Sequence, residues 1–387
     1  MVAGTSEARE IATKRAFEYL DALAREAGSD LALQHELAVA YRAMADLSMH
    51  NTGDYVKVRE SRLKALAIQK RLLQARPDDP VIRDETARDY QGEAWSSWMS
   101  GETARALEAY EKCFALREGL FASHPDNFDY VFRLGHVHLT KGELFLSLDD
   151  PVEARRLFTR ALGLMESLRD HPDEPRHRVR LQRGLLWSHN CLGDSFVLEE
   201  EWGRALQEYD AAATFAEPMH VDQPREVNAL DNIGRAYMGQ ARVYAKRADY
   251  PAAEAKLRRC IEMREALPQT DAYGRGPLAE LYSELGALHL ARGDASAALG
   301  PLQKAVRLEE DLVAAAPKNF TYVTQLAATY ERAGWALRKL GQTQDALAHY
   351  QRALPLREQA ASDELNGRAR KQLAACREEI AKLRGEL

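Results

Sequence analysis

Apolar positions in this chain recur at i, i+4 and i+7 in the order small, bulky, small. The copies are Ala106, Tyr110 and Cys113; Ala154, Phe158 and Ala161; Ala205, Tyr209 and Ala212; Ala253, Leu257 and Cys260; Ala298, Leu302 and Ala305; and Ala346, Tyr350 and Ala353. A weaker first copy sits at Val58, Arg62 and Ala65. Those offsets share one face of a helix, so each phrase predicts a helix whose small residues let a neighbour approach closely. The steps between first residues, here called anchors, are 48, 48, 51, 48, 45 and 48, and a fixed period of that length means a repeat array. A second helix precedes each phrase. Nine residues before the anchor stands a bulky residue, twelve before a small one and sixteen before often an aromatic, as in Tyr237, Ala241 and Tyr244, or Tyr330, Gly334 and Leu337.

Turn residues divide the chain in the same way. Between phrases lie Arg76-Pro77-Asp78-Asp79-Pro80, His124-Pro125-Asp126-Asn127, His171-Pro172-Asp173-Glu174-Pro175, Glu217-Pro218, Leu267-Pro268 and Ala316-Pro317-Lys318-Asn319. Proline ends one helix, and Asp or Asn accepts an orphan N–H of the next. Within repeats the turns are Gly53-Asp54, Gly101-Glu102, Asp149-Asp150-Pro151, Asp249-Tyr250-Pro251, Gly293-Asp294 and Gly341-Gln342, connections short enough to make antiparallel pairs. Pro301 and Pro355 fall where helix is expected, so each either kinks its helix or marks a later start.

Aromatic-x2-Leu-Gly-x2-aromatic followed by Ala-x3-Phe-x2-Ala resembles the tetratricopeptide repeat, whose usual period is 34 residues. The period near 48 lengthens both helices by about two turns at about 3.6 residues each, and Asp46 stands where the first repeat should carry a small residue. The resemblance implies an all-α, right-handed α-α superhelix, a TPR-like solenoid of about seven elongated helix pairs with terminal capping helices. We read residues 1–387 as a single solenoid, with a leading helix at 6–27, seven repeats over 30–361 and a capping helix at 362–387, since stacked repeats share one continuous core.

The opening, Phe17 to Gly28 followed by Leu33 to Tyr41, is similar to the start of the tetratricopeptide region that follows the catalytic domain in many bacterial serine/threonine protein kinases. The linkers His124 to Asn127 and Ala315 to Asn319 resemble that region too. This likeness implies a sensory or scaffolding segment of a signalling protein.

Charge narrows the partners. With 53 basic and 59 acidic residues the net charge is −6, which gives no reason to expect nucleic acid, and Arg176, Arg178, Arg180 and Arg183 spread round a helix as a solvated face. No apolar run reaches the length of a membrane span and the charged start lacks a signal-peptide core, so the expected location is cytoplasmic, or extracytoplasmic for a fragment of a membrane-anchored kinase. Metalloprotease, phosphate-loop, hydrolase-elbow and kinase signatures are all missing, and His136 and His138 point to different faces. We therefore expect no enzyme, no metal and no cofactor. Cys113 and Cys260 read as small buried packing residues.

Function is then expected from the inner surface. In the resembled family the first helix of each pair lines the concave side, and positions 18, 15, 11, 8 and 7 before the anchor lie opposite the packing positions. That set nominates a peptide-binding groove comprising Arg88, Gln91, Trp95 and Trp98; His136, Leu139 and Glu143; Trp187, Asn190 and Asp194; and Arg235, Arg242 and Lys246. Trp is enriched at binding hot spots, although the same indoles suit packing between long helices. The Lys and Asn pair of the family's peptide-carboxylate clamp is replaced by Ala43 and Leu47, Gln91 and Trp95, Leu139 and Glu143, or Asn190 and Asp194. The expected activity is a non-catalytic scaffold that takes a protein or peptide carrying apolar and acidic residues. The alternative is a small-ligand sensory region regulating an attached or associated serine/threonine kinase, which calls for an enclosed apolar pocket of about 300 to 1,000 Å³.

Overall fold

A computed structural model describes residues 4–386 apart from 29, 53–54, 223–226, 267–271 and 364. Side chains are described for these except 4–14, 47–52, 55–57, 217–222, 227–229, 231–232 and 272–273. Among the described residues all regular structure is helical, in sixteen elements. A leading helix α1 (Gly4–Glu26) precedes the pairs α2 (Leu31–Thr52) and α3 (Tyr55–Ala75), α4 (Pro80–Met99) and α5 (Thr103–Ser123), α6 (Phe128–Ser147) and α7 (Pro151–Glu166), and α8 (Glu174–Leu198) and α9 (Trp202–Asp222). Then come α10 (Val227–Lys246) and α11 (Tyr250–Glu265), α12 (Ala272–Ala291) and α13 (Ala295–Ala315), α14 (Phe320–Lys339) and α15 (Thr343–Ala360), and the cap α16 (Gly367–Glu386). The chain forms two compact units, residues 1–125 with α1 to α5 and residues 126–387 with α6 to α16.

The small residues of each phrase are where close approach requires them. Cys113, Ala161, Ala212, Ala305 and Ala353 are fully buried and Cys260 nearly so, as are the anchors from Val58 to Ala346. Between them the bulky residue packs on a first-helix position sixteen residues earlier. At Gly193 an added Cβ would stand 2.6 Å from the Tyr209 ring, and at Gly334 one would stand 2.8 Å from the Tyr350 ring. In the first repeat the same offset joins Asp46 to Arg62 at 2.7 Å, so an ion pair replaces the ring-on-glycine contact and explains both irregular residues together. All four cysteines are buried and unbridged.

Each described turn within a repeat closes alike. The second residue after the first helix takes a left-handed backbone, at Gly101, Gly293 and Gly341 but also at Asp149, Glu200 and Ala248. The next N–H reaches back five residues, as in Glu102 N to Ser97 O at 2.8 Å and Asp249 N to Tyr244 O at 2.9 Å. This is a Schellman closure. Caps follow the expected chemistry at Asp79, Asn127, Asp150, Asp249, Asp294 and Asn319.

Helices α13 and α15 continue through Pro301 and Pro355, so of the two alternatives neither proline marks a later start. Against expectation, α9 continues past Glu217-Pro218 to Asp222. The expected turns at Gly53-Asp54 and Leu267-Pro268 lie outside the described residues.

Candidate interaction face

In the second unit the first helices of successive repeats touch directly, α6 on α8, α8 on α10, α10 on α12 and α12 on α14. The first helices therefore gather on the inner side of a curved stack. The curvature carries the cap round far enough for Lys371 on α16 to meet Asp149, at the turn after α6, at 3.4 Å.

Along this inner side runs a ladder. The residue eleven before one anchor reaches the residue eighteen before the next: Glu143 accepts from Trp187 Nε1 at 3.0 Å, Asp194 accepts from Arg235 at 2.8 and 3.2 Å, and Arg242 lies 3.8 Å from Glu280. Arg235 also donates to Glu143 at 2.6 Å, two repeats back. Tyr209 donates to Asp194 at 2.7 Å, and His136 meets the Trp187 indole edge-on at 5.1 Å. Arg242 continues to Glu284 at 2.9 Å, whose other oxygen accepts from Arg332 at 3.1 Å.

Curvature sets the electrostatics. Arg242 and Glu280 keep 39% and 37% of their side-chain surface open, yet burial raises the Glu280 carboxyl above its ordinary range, with Arg242 offsetting part of the rise. Open to water but surrounded by protein describes the wall of a cleft. Burial would raise Glu284 too, but Arg242 and Arg332 outweigh it and hold that carboxyl down to about 2.

The nominated residues divide among three settings. Glu143, Trp187, Asp194 and Arg235 form one connected cluster with His136 beside it, and Arg242 belongs to the next rung. Lys246 is exposed and lies 5.2 Å from the centre of the Trp202 ring. Leu139 and Asn190 do not line the face: both are fully buried. They stand fifteen before their anchors, as do the buried Met238 and Ser283, and Ser283 shows where that row points, across the helix seam to Thr329 and Arg332 on α14. In the first unit Arg88 is exposed and Gln91, Trp95 and Trp98 are half-buried along α4.

The sequence reading missed Glu284 and Arg332. Both stand fourteen before their anchors, one helical turn from positions 18 and 11 and so on the same face. It also assigned Arg235 and Arg242 to an acidic partner, whereas their complement comes from the chain itself, through Glu143, Asp194, Glu280 and Glu284. In the first unit the corresponding miss is Arg42, buried against Asp89 at 2.7 Å with Glu85 alongside.

Among known families, the tetratricopeptide repeat matches residues 326–364, which span most of α14 and all of α15. The chain is an all-α repeat protein that carries a tetratricopeptide repeat at its C-terminal end. No curated protein matches it. Solved structures similar to it include BtubC from P. vanneervenii, at 16% identity over 66% of this chain and 90% of that one with a TM-score of 0.48. A tetratricopeptide repeat protein from Parabacteroides merdae is similar at 14% identity over 90% and 98% with a TM-score of 0.46. A Rap protein complexed with competence and sporulation factor is similar at 12% over 98% and 99% with a TM-score of 0.43. Likenesses of this size carry no argument about activity or ligand.

Proposed function

We propose that the chain is a non-catalytic protein-interaction scaffold and that the inner face of its second unit receives an extended peptide or a helix. The observation that supports this most strongly is the ladder from Glu143 to Arg332. Its side chains are fixed by partners in neighbouring repeats while part of their surface stays open to a cleft, so they have little conformational freedom left to lose on binding. Carboxylates there accept from peptide N–H groups and guanidinium edges donate to peptide carbonyls. The half-exposed Trp187 indole gives an apolar anchor beside them. Because the charges are already balanced within the chain, the favoured partner is read by its backbone and apolar side chains rather than by acidic residues. The setting in bacterial signalling is our reading of the resemblance at residues 17–41. Of the two functions considered, the scaffold is favoured because the recess on this face is about 240 Å³ and ringed by charges, unlike the apolar pocket a small-ligand sensor calls for.

Peptides selected from a random displayed library against the full chain test the reading, with affinities measured by fluorescence polarisation. Trp187→Ala and Asp194→Asn are expected to weaken selected peptides by about tenfold or more. Arg156→Ala, on the exposed side of α7, is expected to stay within about twofold. Equal losses for the inner and outer variants, or no selectable peptide, would overturn it.

A further inference from the structure

Beyond Arg242 and Glu280 the ladder loses its side chains. The next rung is Ala287 and Ala328, and beside Ala328 opens the recess of about 240 Å³. Its acidic lining, Glu280, Glu284 and the buried Glu309 of α13, is balanced by Arg332, Arg357 and Arg368. Burial pushes the Glu309 carboxyl up to about 8. The recess is closed by the two ends of the second unit. Ser147, the last residue of α6, lines it together with Arg368, Ala369 and Gln372 from the first two turns of α16. Beside it Lys371 Nζ donates to Asp149 Oδ2 at 3.4 Å, a contact between residues 222 apart in the chain.

That meeting is an addition to the stack rather than part of it. Helix packing in the unit joins consecutive helices and the first helices of adjacent repeats, and in a solenoid each repeat is held by its neighbours. The C-terminal part of α16 follows that rule. Cys376, Ile380 and Leu383 are buried in one apolar cluster with Tyr350 of α15, and Arg338 of α14 donates to Glu379 at 2.8 Å. The first two turns, which carry Arg368 and Lys371, bury only Ala369 and are tied to α15 by the bond from Arg357 to Gln372 at 2.9 Å. Across the gap, Asp150 is occupied in capping α7 through Glu153 N at 3.1 Å, and Asp149 is the carboxylate that faces α16. Lys371 keeps 78% of its side-chain surface open and Asp149 45%. An exposed ion pair of this kind biases closure without fixing it.

We propose that the first two turns of α16 are a clasp on the inner face: paired with Asp149 they hold the second unit closed, and a partner reaches the face when the pair opens. The proposal rests on the scaffold reading for what enters. Opening breaks no packed interface, because small rotations between successive repeats add along the stack. It carries Ser147 away from Arg368 and Gln372 and widens the recess beside Ala328. The clasp thereby gives a face whose own charges are internally balanced a separate element that responds to charge.

Two measurements on the full chain, at one ionic strength, test the clasp. In the first, Ala328→Cys puts a thiol on the recess wall of a chain whose four native cysteines are buried, and its labelling by a bulky maleimide is timed. Lys371→Glu sets like charges against Asp149 and is expected to speed labelling by about two- to fivefold, the range an exposed ion pair supplies. Adding Asp149→Lys to Lys371→Glu restores opposite charges and should return the rate to that of the starting chain. In the second, association of a library-selected peptide is followed by stopped flow. Lys371→Glu should speed it by a similar factor. A chain carrying Asp149→Cys and Lys371→Cys, joined by a short reducible cross-linker, should take up peptide about tenfold or more slowly until the link is reduced. Labelling that Lys371→Glu leaves unchanged overturns the clasp. So does a cross-linked chain that takes up peptide as fast as the reduced one, and either result leaves the scaffold standing. No selectable peptide, with labelling that still follows the charge pair, removes the scaffold reading and keeps the clasp.

Discussion

At the described turns within repeats, one backbone position does the same work with different residues. Gly101, Gly293 and Gly341 adopt the left-handed conformation without a Cβ penalty, whereas Asp149, Glu200 and Ala248 adopt it with one. The left-handed region costs an ordinary residue about 1–2 kcal/mol, and Ala248 is exposed with no side-chain polar group to offset this. Ala248→Gly is expected to raise stability by about 1 kcal/mol after the extra entropy of glycine in the unfolded chain is subtracted, read as a shift of the denaturant midpoint. The period made these turns legible, but Glu200 carries no turn signature, and only its place between α8 and α9 reveals it. Glu309 gives the second residue-scale expectation. Its folded pKa, about 8, lies above the ordinary 4.5, so between those values the folded state holds a proton that the unfolded state releases. Its contribution is full below about pH 4.5 and lost as pH rises toward 8. Stability measured from pH 5 to 8 should therefore fall more steeply in wild type than in Glu309→Gln, and equal slopes would place the Glu309 carboxyl outside the buried setting described.

Among elements, the packing arithmetic was legible because it depends on helix geometry alone. Small residues on one helix and a bulky residue on its partner sixteen positions later fix the pair, and at Gly334 the neighbours include the Ala346 backbone oxygen, 3.2 Å from where a Cβ would stand. Backbone does not swing aside as a side-chain tip does. Gly334→Ala is expected to cost about 1–3 kcal/mol through overpacking, whereas Gly163→Ala, exposed on α7 with open space around it, should gain about 0.5–1 kcal/mol from helix propensity. Melting curves of the two variants give opposite signs on this account. What the helix wheel could not supply is the seam. Residues fifteen before the anchor sit at an angle that reads as exposed on an isolated pair, but neighbouring first helices close over them, which buries Leu139 and Asn190. Pro301 and Pro355 are a further lesson, since long helices with a packed face carry a proline that propensity alone would reject.

For the whole molecule, the number and pairing of helices follow from the period, while the contacts that shape the candidate site follow from curvature, which no single repeat encodes. Trp187, Glu143, Asp194 and Arg235 could be nominated one by one from their helix positions. Their junction into a ladder, and the recess where Ala287 and Ala328 interrupt it, arise only when repeats bend toward their first helices. That bend also turns the reading of the arginines around, because it brings carboxylates of other repeats within reach before any partner arrives. The central claim, that the inner face of the second unit is the binding surface, is tested most directly by hydrogen exchange of the full chain with and without a saturating library-selected peptide. Slowed exchange concentrated in α6, α8, α10 and α12 is the result predicted. Protection confined to α7, α9, α11 and α13, with the first helices unchanged, would contradict it.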